Sequence, residues 1–275
     1  LNGKDLSYNN YNDVFSALDI LDSLKEKPAT VIIKHANPCG VALDKFPLMS
    51  YRKAYDCDPI SAFGGVIACN YRINKELAYE INKNFLEVIL AKGFEKEALT
   101  ILRKKKNLRI IDISKFTLKN KVNLKVFDNS FLVQERDRTI FNYKKLKFVT
   151  KNKPTKKDLK EIEFAFTICK YVKSNAIVIT NNFTTLGIGA GQPNRLDSCK
   201  IAVEKAKKFQ PKKLKNSIAA SDAFFPFADG IKKLISGGIK VIIQPGGSIR
   251  DQEVIKAADK AKIKMIFTGI RHFNH

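Results

Sequence analysis

Lys34 and His35 stand side by side at the end of the apolar run Thr30-Val31-Ile32-Ile33. An ammonium and an imidazole in that position could stabilise a developing oxyanion and take a proton from a nucleophile. The run before them is β-branched and reads as a buried strand. Pro38 keeps Asn37 out of the helical region and Gly40 admits a positive φ, so the chain is expected to bend at Asn37-Pro38, just past His35. Ligands of open α/β sheets bind at the carboxyl ends of strands, which is where this places the pair. Successive strand residues point to opposite faces, so both can enter one pocket only if the strand deforms at its end. Each also has a plainer reading: a snorkelling surface lysine and a satisfied structural histidine.

Other strand ends carry comparable chemistry. Asp58-Pro59-Ile60-Ser61-Ala62-Phe63-Gly64-Gly65 is a shaped loop before the strand Val66 to Cys69, and its double glycine suits either a tight turn or close approach to a ligand. Glu87 interrupts the apolar strand Phe85 to Ala91, where a carboxylate must be paired or bind something. Leu186-Gly187-Ile188-Gly189-Ala190-Gly191 runs toward a helix that continues through Lys208, an arrangement suited to an anion, with Arg195 able to grip phosphate or carboxylate. Phe224, Phe225 and Phe227 flank Pro226 between Asp222 and Asp229, and serve either as core or as a wall for a planar heterocycle.

The elements that position these residues alternate between strand and helix. Apolar spacing marks helices over 13–24, 51–55, 75–83, 94–105, 155–172 and 251–262, and strands over 29–35, 66–69, 85–91, 108–113, 131–137, 173–179, 217–220 and 241–244. Thr155 is placed as a helix cap, after a basic, polar stretch from Lys144 to Lys157 that makes the best domain boundary. The expected fold is layered α/β, in two similar units over 1–150 and 151–275.

Composition narrows the function. The chain is 275 residues and 44% hydrophobic, enough for a sizeable core. No run approaches a membrane span and no secretory leader opens it, so a cytoplasmic protein is expected. Its five cysteines are scattered and never spaced as CxxC, which suits reduced, buried thiols better than disulfides or zinc. The net charge of +23 invites a nucleic-acid partner, but the lysines are spread along the chain without aromatic interleaving. A field that attracts small anionic substrates is the better reading. With Leu1 in place of an initiator Met, the chain is expected to be a piece of a longer one.

In order, the blocks KHANPCG, DPISAFGG, SNAIVI, LGIGAGQPNR, SDAFFPFADGI and GGSIRDQEVI closely resemble the transformylase domain of a bifunctional purine-biosynthesis family. That family couples 5-aminoimidazole-4-carboxamide ribonucleotide (AICAR) formyltransferase to IMP cyclohydrolase. The resemblance spans nearly the whole chain. It implies formyl transfer from 10-formyltetrahydrofolate to the 5-amino group of AICAR, with folate as co-substrate and no metal. It also implies two cytidine-deaminase-like α/β/α units without zinc, and active sites lying across a homodimer interface. The residues agree about zinc, since a deaminase needs H-x-E and P-C-x-x-C whereas Asn37 stands two beyond His35 and Cys39 has no partner.

By match to the family, the catalytic residues are His35 as base, Lys34 at the oxyanion and Asn175 orienting the reacting groups. Phe63, Gly64, Glu87, Arg195, Phe224, Arg271 and His275 match nucleotide-binding positions. Asp229 matches an acid of the folate-pocket region and is counted with the nucleotide set. Ile60, Leu196, Pro226 and Phe227 match the wall that holds the pterin. Glu87 stands where some members have Asp, and Pro193 departs from the usual pattern before Arg195. The resemblance implies that the cyclohydrolase domain, and the family's Arg-Tyr-Gly-x-Asn-Pro-His-Gln segment that would lie just before Leu1, are expected to fall outside this chain. A folate- or nucleotide-binding remnant without turnover is therefore the alternative to an enzyme.

Overall fold

The computed structural model describes residues 1–119, 122–139 and 141–275. The first half runs α1 (Tyr8–Asp22), β1 (Ala29–Lys34), β2 (Asn37–Leu43), α2 (Pro47–Tyr55), α3 (Pro59–Ala62), β3 (Gly65–Cys69), α4 (Lys75–Asn82), β4 (Leu86–Ala91), α5 (Lys96–Leu102) and β5 (Arg109–Asp112). A ribbon follows, made of β6 (Val122–Phe127) and β7 (Ser130–Glu135). The second half runs β8 (Lys147–Phe148), α6 (Lys156–Cys169), β9 (Ile177–Thr180), β10 (Thr185–Gly189), α7 (Arg195–Phe209), α8 (Pro211–Leu214), β11 (Ile218–Ser221), α9 (Ala228–Ser236), β12 (Val241–Gln244), α10 (Asp251–Lys260) and β13 (Lys264–Phe267).

The two large sheets share a plan. The first has the order β2-β1-β3-β4-β5 and the second β10-β9-β11-β12-β13-β8. In each, a hairpin supplies an antiparallel pair, the inner hairpin strand is antiparallel to the next strand, and the remaining helix-linked strands are parallel. The senses follow from the connections: a tight turn can join only antiparallel strands, whereas α4, α5, α9 and α10 are crossovers long enough to bring the chain back parallel. The outer hairpin strands meet, with Val41 N–H donating to Thr185 Oγ1 at 2.9 Å and Ala42 bridging Thr184.

Alternation along the strands divides the core. Val31, Ile33, Val66 and Ala68 face a central cluster with Leu18 and Leu21 of α1, Ile162 and Phe166 of α6, and Val178 of β9. Ile32 and Ile67 face outward into the layer of α2, α4 and α5, and Ile179 and Ile242 into the layer of α7, α9 and α10. All five cysteines are buried and unpaired, and burial pushes the thiols of Cys39, Cys57, Cys69 and Cys199 up to about 12. Among the described residues no helix is long and apolar enough to cross a membrane, and no group of acids, histidines and cysteines could hold a metal.

Several elements depart from the sequence expectations. Asn37-Pro38-Cys39-Gly40 opens a strand instead of forming a turn. The residue before a proline favours extended backbone, which suits a strand as well as a bend. The register skips from Ile32↔Gly40 to Ile33↔Pro38, so a bulge absorbs the proline's missing donor. Gly40 is needed for packing, since a Cβ there would lie 1.9 Å from Ala54 O of α2. Helix α1 begins at Tyr8, earlier than the expected 13, because Ser7 and Asn10 form a reciprocal capping box. Thr155 caps α6 as expected, in a capping box with Asp158. The strand expected over 131–137 is β7, which among the described residues pairs with β6, leaving Leu124, Val126, Phe131 and Val133 exposed on one face of the ribbon.

Candidate active site

The turn that carries His35 is the two-residue link between β1 and β2. Lys34 pairs with Asn37, while His35 and Ala36 both have positive φ (53° and 56°), as a type I′ hairpin requires. Neither residue is glycine, so the conformation costs on the order of 1–2 kcal/mol per residue and must be held from outside. Two contacts hold it. Asp13 Oδ1 of α1 accepts from Ala36 N–H at 2.6 Å, and Asn37 Oδ1 accepts from Lys173 N–H at 3.0 Å. The turn thus presents His35 exposed at a hairpin tip, while Lys34 at the strand end is half-buried and its Nζ donates to Phe63 O at 2.6 Å.

Phe63 and Gly64 end the α3 loop. Gly64 has φ +71°, and its N–H donates to Phe85 O at 2.9 Å, with the Phe63 and Phe85 rings 5.2 Å apart. This brings the loop beside β4, where Glu87 accepts from Asn10 Nδ2 of α1 at 2.8 Å and lies 4.0 Å from Arg109. The acid expected to need a partner has these two. A cleft of about 450 Å³ is lined by Glu87, Phe85, Lys105 and Arg109 among others.

Asn175 and Arg195 form a second cluster, joined to the first through Asn37 and Lys173. Asn175 Oδ1 accepts from Arg195 Nη2 at 2.7 Å, and Asn175 Nδ2 donates to Gln192 O at 2.8 Å and Pro193 O at 3.1 Å. Arg195 Nη1 donates to Ser221 Oγ at 2.8 Å and is ion-paired with Asp222, the two residues being 7% and 0% exposed. The other oxygen of Asp222 accepts from Ser174 Oγ at 2.6 Å. Of the glycines before Arg195, Gly187 and Gly189 serve packing. A Cβ on Gly187 would lie 2.1 Å from Ala202 O, and one on Gly189 2.0 Å from Ser198 O, so both exist to let α7 press against β10. The N-terminus of α7 is already capped by the Asn194 side chain, with Asp197 in the first turn.

The C-terminal segment is knitted to the same cluster. His272 N–H donates to Asp222 O at 2.9 Å, Ser174 N–H to Asn274 O at 2.9 Å, and Lys173 Nζ to His275 O at 2.9 Å. Arg271 and His275 are exposed, with the Arg271 guanidinium 4.5 Å from the Phe273 ring centre. The His272 ring is buried and bonded to Asp137 at 2.5 Å, beside a cavity of about 490 Å³ that Arg136, Lys170 and Tyr171 help to line.

The three aromatics divide their duties: Phe225 is core, Phe224 is half-buried and Phe227 is 48% exposed under Arg250. Asp229 is exposed on α9 and, among the described residues, accepts from Gly230 N–H next to it at 2.6 Å. Ile60 is 63% exposed, Leu196 half-buried and Pro226 exposed, so these residues and Phe227 do not close a pocket within one chain. Asp58, the cap of α3, ties the Ile60 loop to the second half through Lys205 at 2.8 Å.

The residues missed from sequence are the supports: Asn10, Asp13, Asn37, Asp222 and His272. A buried Asn and a half-buried Asp three apart in Asn10-Tyr11-Asn12-Asp13 were a signal, but only a helix that starts at Tyr8 puts both on one face.

Mixed sheets with a charged hairpin tip beside a buried Arg–Asp–Asn cluster define a chain built to present polar groups at strand ends, and comparison with known proteins supplies the family. The family described as AICARFT/IMPCHase bienzyme matches residues 1–205, and the chain belongs to it. It is similar to the bifunctional purine biosynthesis protein PurH of Thermoanaerobacter sp. (strain X514), 47% identical over 275 residues, covering 100% of this chain and 53% of that protein. The PurH proteins of Acetivibrio thermocellus and of Leptospira biflexa are 46% and 48% identical, again over 100% of this chain and 53% of theirs. The chain therefore spans about half the length of the curated relatives it matches.

Proposed function

We propose that this chain carries AICAR formyl transfer in purine biosynthesis, with 10-formyltetrahydrofolate as co-substrate. The observation that carries the reading is the hairpin tip: Lys34 and His35 end β1 at a turn held open on one side by Asp13 and joined on the other to the loop that leads to Asn175. The acceptor amine is a poor nucleophile because its lone pair is conjugated into the imidazole carboxamide. A base must take its proton as nitrogen attacks the formyl carbon. His35 is that base. Lys34 stabilises the oxyanion of the tetrahedral intermediate and helps deliver a proton to N10 as the C–N10 bond breaks, leaving formyl-AICAR and tetrahydrofolate.

Asn175 and Arg195 act toward the nucleotide as one hydrogen-bonded unit, with Phe63, Gly64, Glu87, Phe224, Asp229, Arg271 and His275 forming the rest of its site. Ile60, Leu196, Pro226 and Phe227 form the pterin wall. Their exposure supports a homodimer in which a second copy completes the site, as does the bare apolar face of the β6–β7 ribbon. A monomeric mass in sedimentation at assay concentration would remove this part of the reading. The matching order and senses of β2-β1-β3-β4-β5 and β10-β9-β11-β12-β13 support two deaminase-like units, expected over 1–150 and 151–275, although β8 at 147–148 joins the second sheet. The family name supports a parent protein that is also an IMP cyclohydrolase. The remnant reading is less well supported, since the hairpin tip and its ties are all in place.

The test is a steady-state assay of AICAR and 10-formyltetrahydrofolate with the whole protein in which this chain occurs. His35→Ala is expected to abolish turnover while calorimetry still detects AICAR binding. Near-normal turnover in that variant would refute the assignment of the base.

A further inference from the structure

Helix α1 lies outside every motif that pointed to the site, yet it reaches the site twice. Its Asn10 side chain donates to Glu87, and one turn later Asp13 accepts from the backbone of the turn that carries His35. We propose that Asp13 is a positioning residue for formyl transfer, pinning the His35–Ala36 turn so that the imidazole is held where the amine must lose its proton. The proposal rests on the reading of His35 as the base.

Three observations carry it. First, the turn has two consecutive non-glycine residues with positive φ, a conformation that local preferences oppose and an external contact must hold. Second, the Asp13 contact is short, 2.6 Å, and made to the N–H of Ala36, which directly follows His35, so losing it frees the peptide that orients the imidazole. Third, the second half repeats the device. Asn182 and Phe183, in the link between β9 and β10, also have positive φ (51° and 55°), and that turn too is tied from outside, Phe183 O accepting from Leu43 N–H at 2.9 Å. In both halves a turn of this kind is thus held by a contact from a residue distant in the chain. Only the first tip carries an acid–base side chain, so only there does the clamp govern chemistry.

Positioning predicts a loss in turnover more than in binding. In the whole protein, Asp13→Ala is expected to lower kcat roughly 100-fold, the effect of a base displaced by about an ångström. The KM values for AICAR and folate should stay within about twofold. Asp13→Asn, whose Oδ1 can still accept from Ala36 N–H, should keep most of the wild-type kcat. Ala36→Gly lets the turn adopt positive φ without the clamp, so adding it to Asp13→Ala should restore much of the lost kcat. Unchanged kcat in Asp13→Ala would overturn the proposal. So would a loss in Asp13→Asn equal to that in Asp13→Ala, or a loss that Ala36→Gly fails to relieve, since the carboxylate would then act through its charge or through general stability. His35→Ala separates the two levels: if it retains turnover the functional reading itself has failed, and if it is inactive while Asp13→Ala is not, only this proposal has.

Discussion

Removing Arg195 should cost more in folding than its place among nucleotide-binding positions implies. Its guanidinium is 7% exposed and donates to Asn175, Ser221 and Asp222, whose carboxylate is fully buried. In Arg195→Ala that carboxylate keeps the Ser174 hydroxyl as a donor but loses its counter-charge. Breaking one side of a buried pair costs about 3–5 kcal/mol, because the survivor is left desolvated. For chains near this size each kcal/mol moves the melting temperature by roughly 2–4 °C, so the expected drop is about 6–20 °C. Thermal melts by circular dichroism of wild type, Arg195→Ala, Asp222→Ala and the apolar pair Arg195→Met/Asp222→Leu provide the measurement. The double variant should melt above either single variant, since neither leaves a charge unpaired. If Arg195→Ala melted within about 2 °C of wild type, the pair would be worth less than 1 kcal/mol and the cluster could not be what orders Asn175.

Two further predictions follow, one from the packing of α7 and one from the Asp58–Lys205 pair between the halves. Gly189→Ala should destabilise by at least about 1–3 kcal/mol in urea titrations, because its Cβ would meet Ser198 O at 2.0 Å and α7 must move; a neutral result would show that α7 is free to shift. The Asp58 carboxyl is pushed up by burial, but Lys205 and Ser61 more than reverse this and hold it below its usual value of 3.8. A depressed carboxyl contributes stability that is present above the unfolded pKa and lost as pH falls through the folded one. The stability gap between wild type and Asp58→Asn, read from denaturant midpoints, should therefore be full at neutral pH and close below about pH 4. A gap that stayed constant down to pH 2 would refute the pairing.

How far the site could be read from the residues depended on the kind of signal. Chemistry-bearing residues stood out by type and neighbourhood: Lys34-His35 after a β-branched run, Glu87 inside an apolar strand, Arg195 after a glycine series. Their supports did not, since Asn10, Asp13 and Asp222 are ordinary polar residues until the fold brings a partner to each. The glycines were the most misleading. Gly40 suggested a turn and Gly187 and Gly189 an anion site, but what the fold shows of all three is room made for a helix backbone, a demand that arises only when two elements meet.

The sequence by itself determined the alternation of elements, the β-branched strand behind Lys34, the capped start of α6 and the family blocks, because these rest on neighbours within a turn or two of chain. Tertiary structure decided that the hairpin turns at His35-Ala36, that Gln192 and Pro193 are held by Asn175, and that a carboxylate from α1 fixes the tip. Those outcomes depend on contacts between residues far apart in the chain, such as the pair from Asn37 to Lys173, and no local preference encodes which distant donor will arrive.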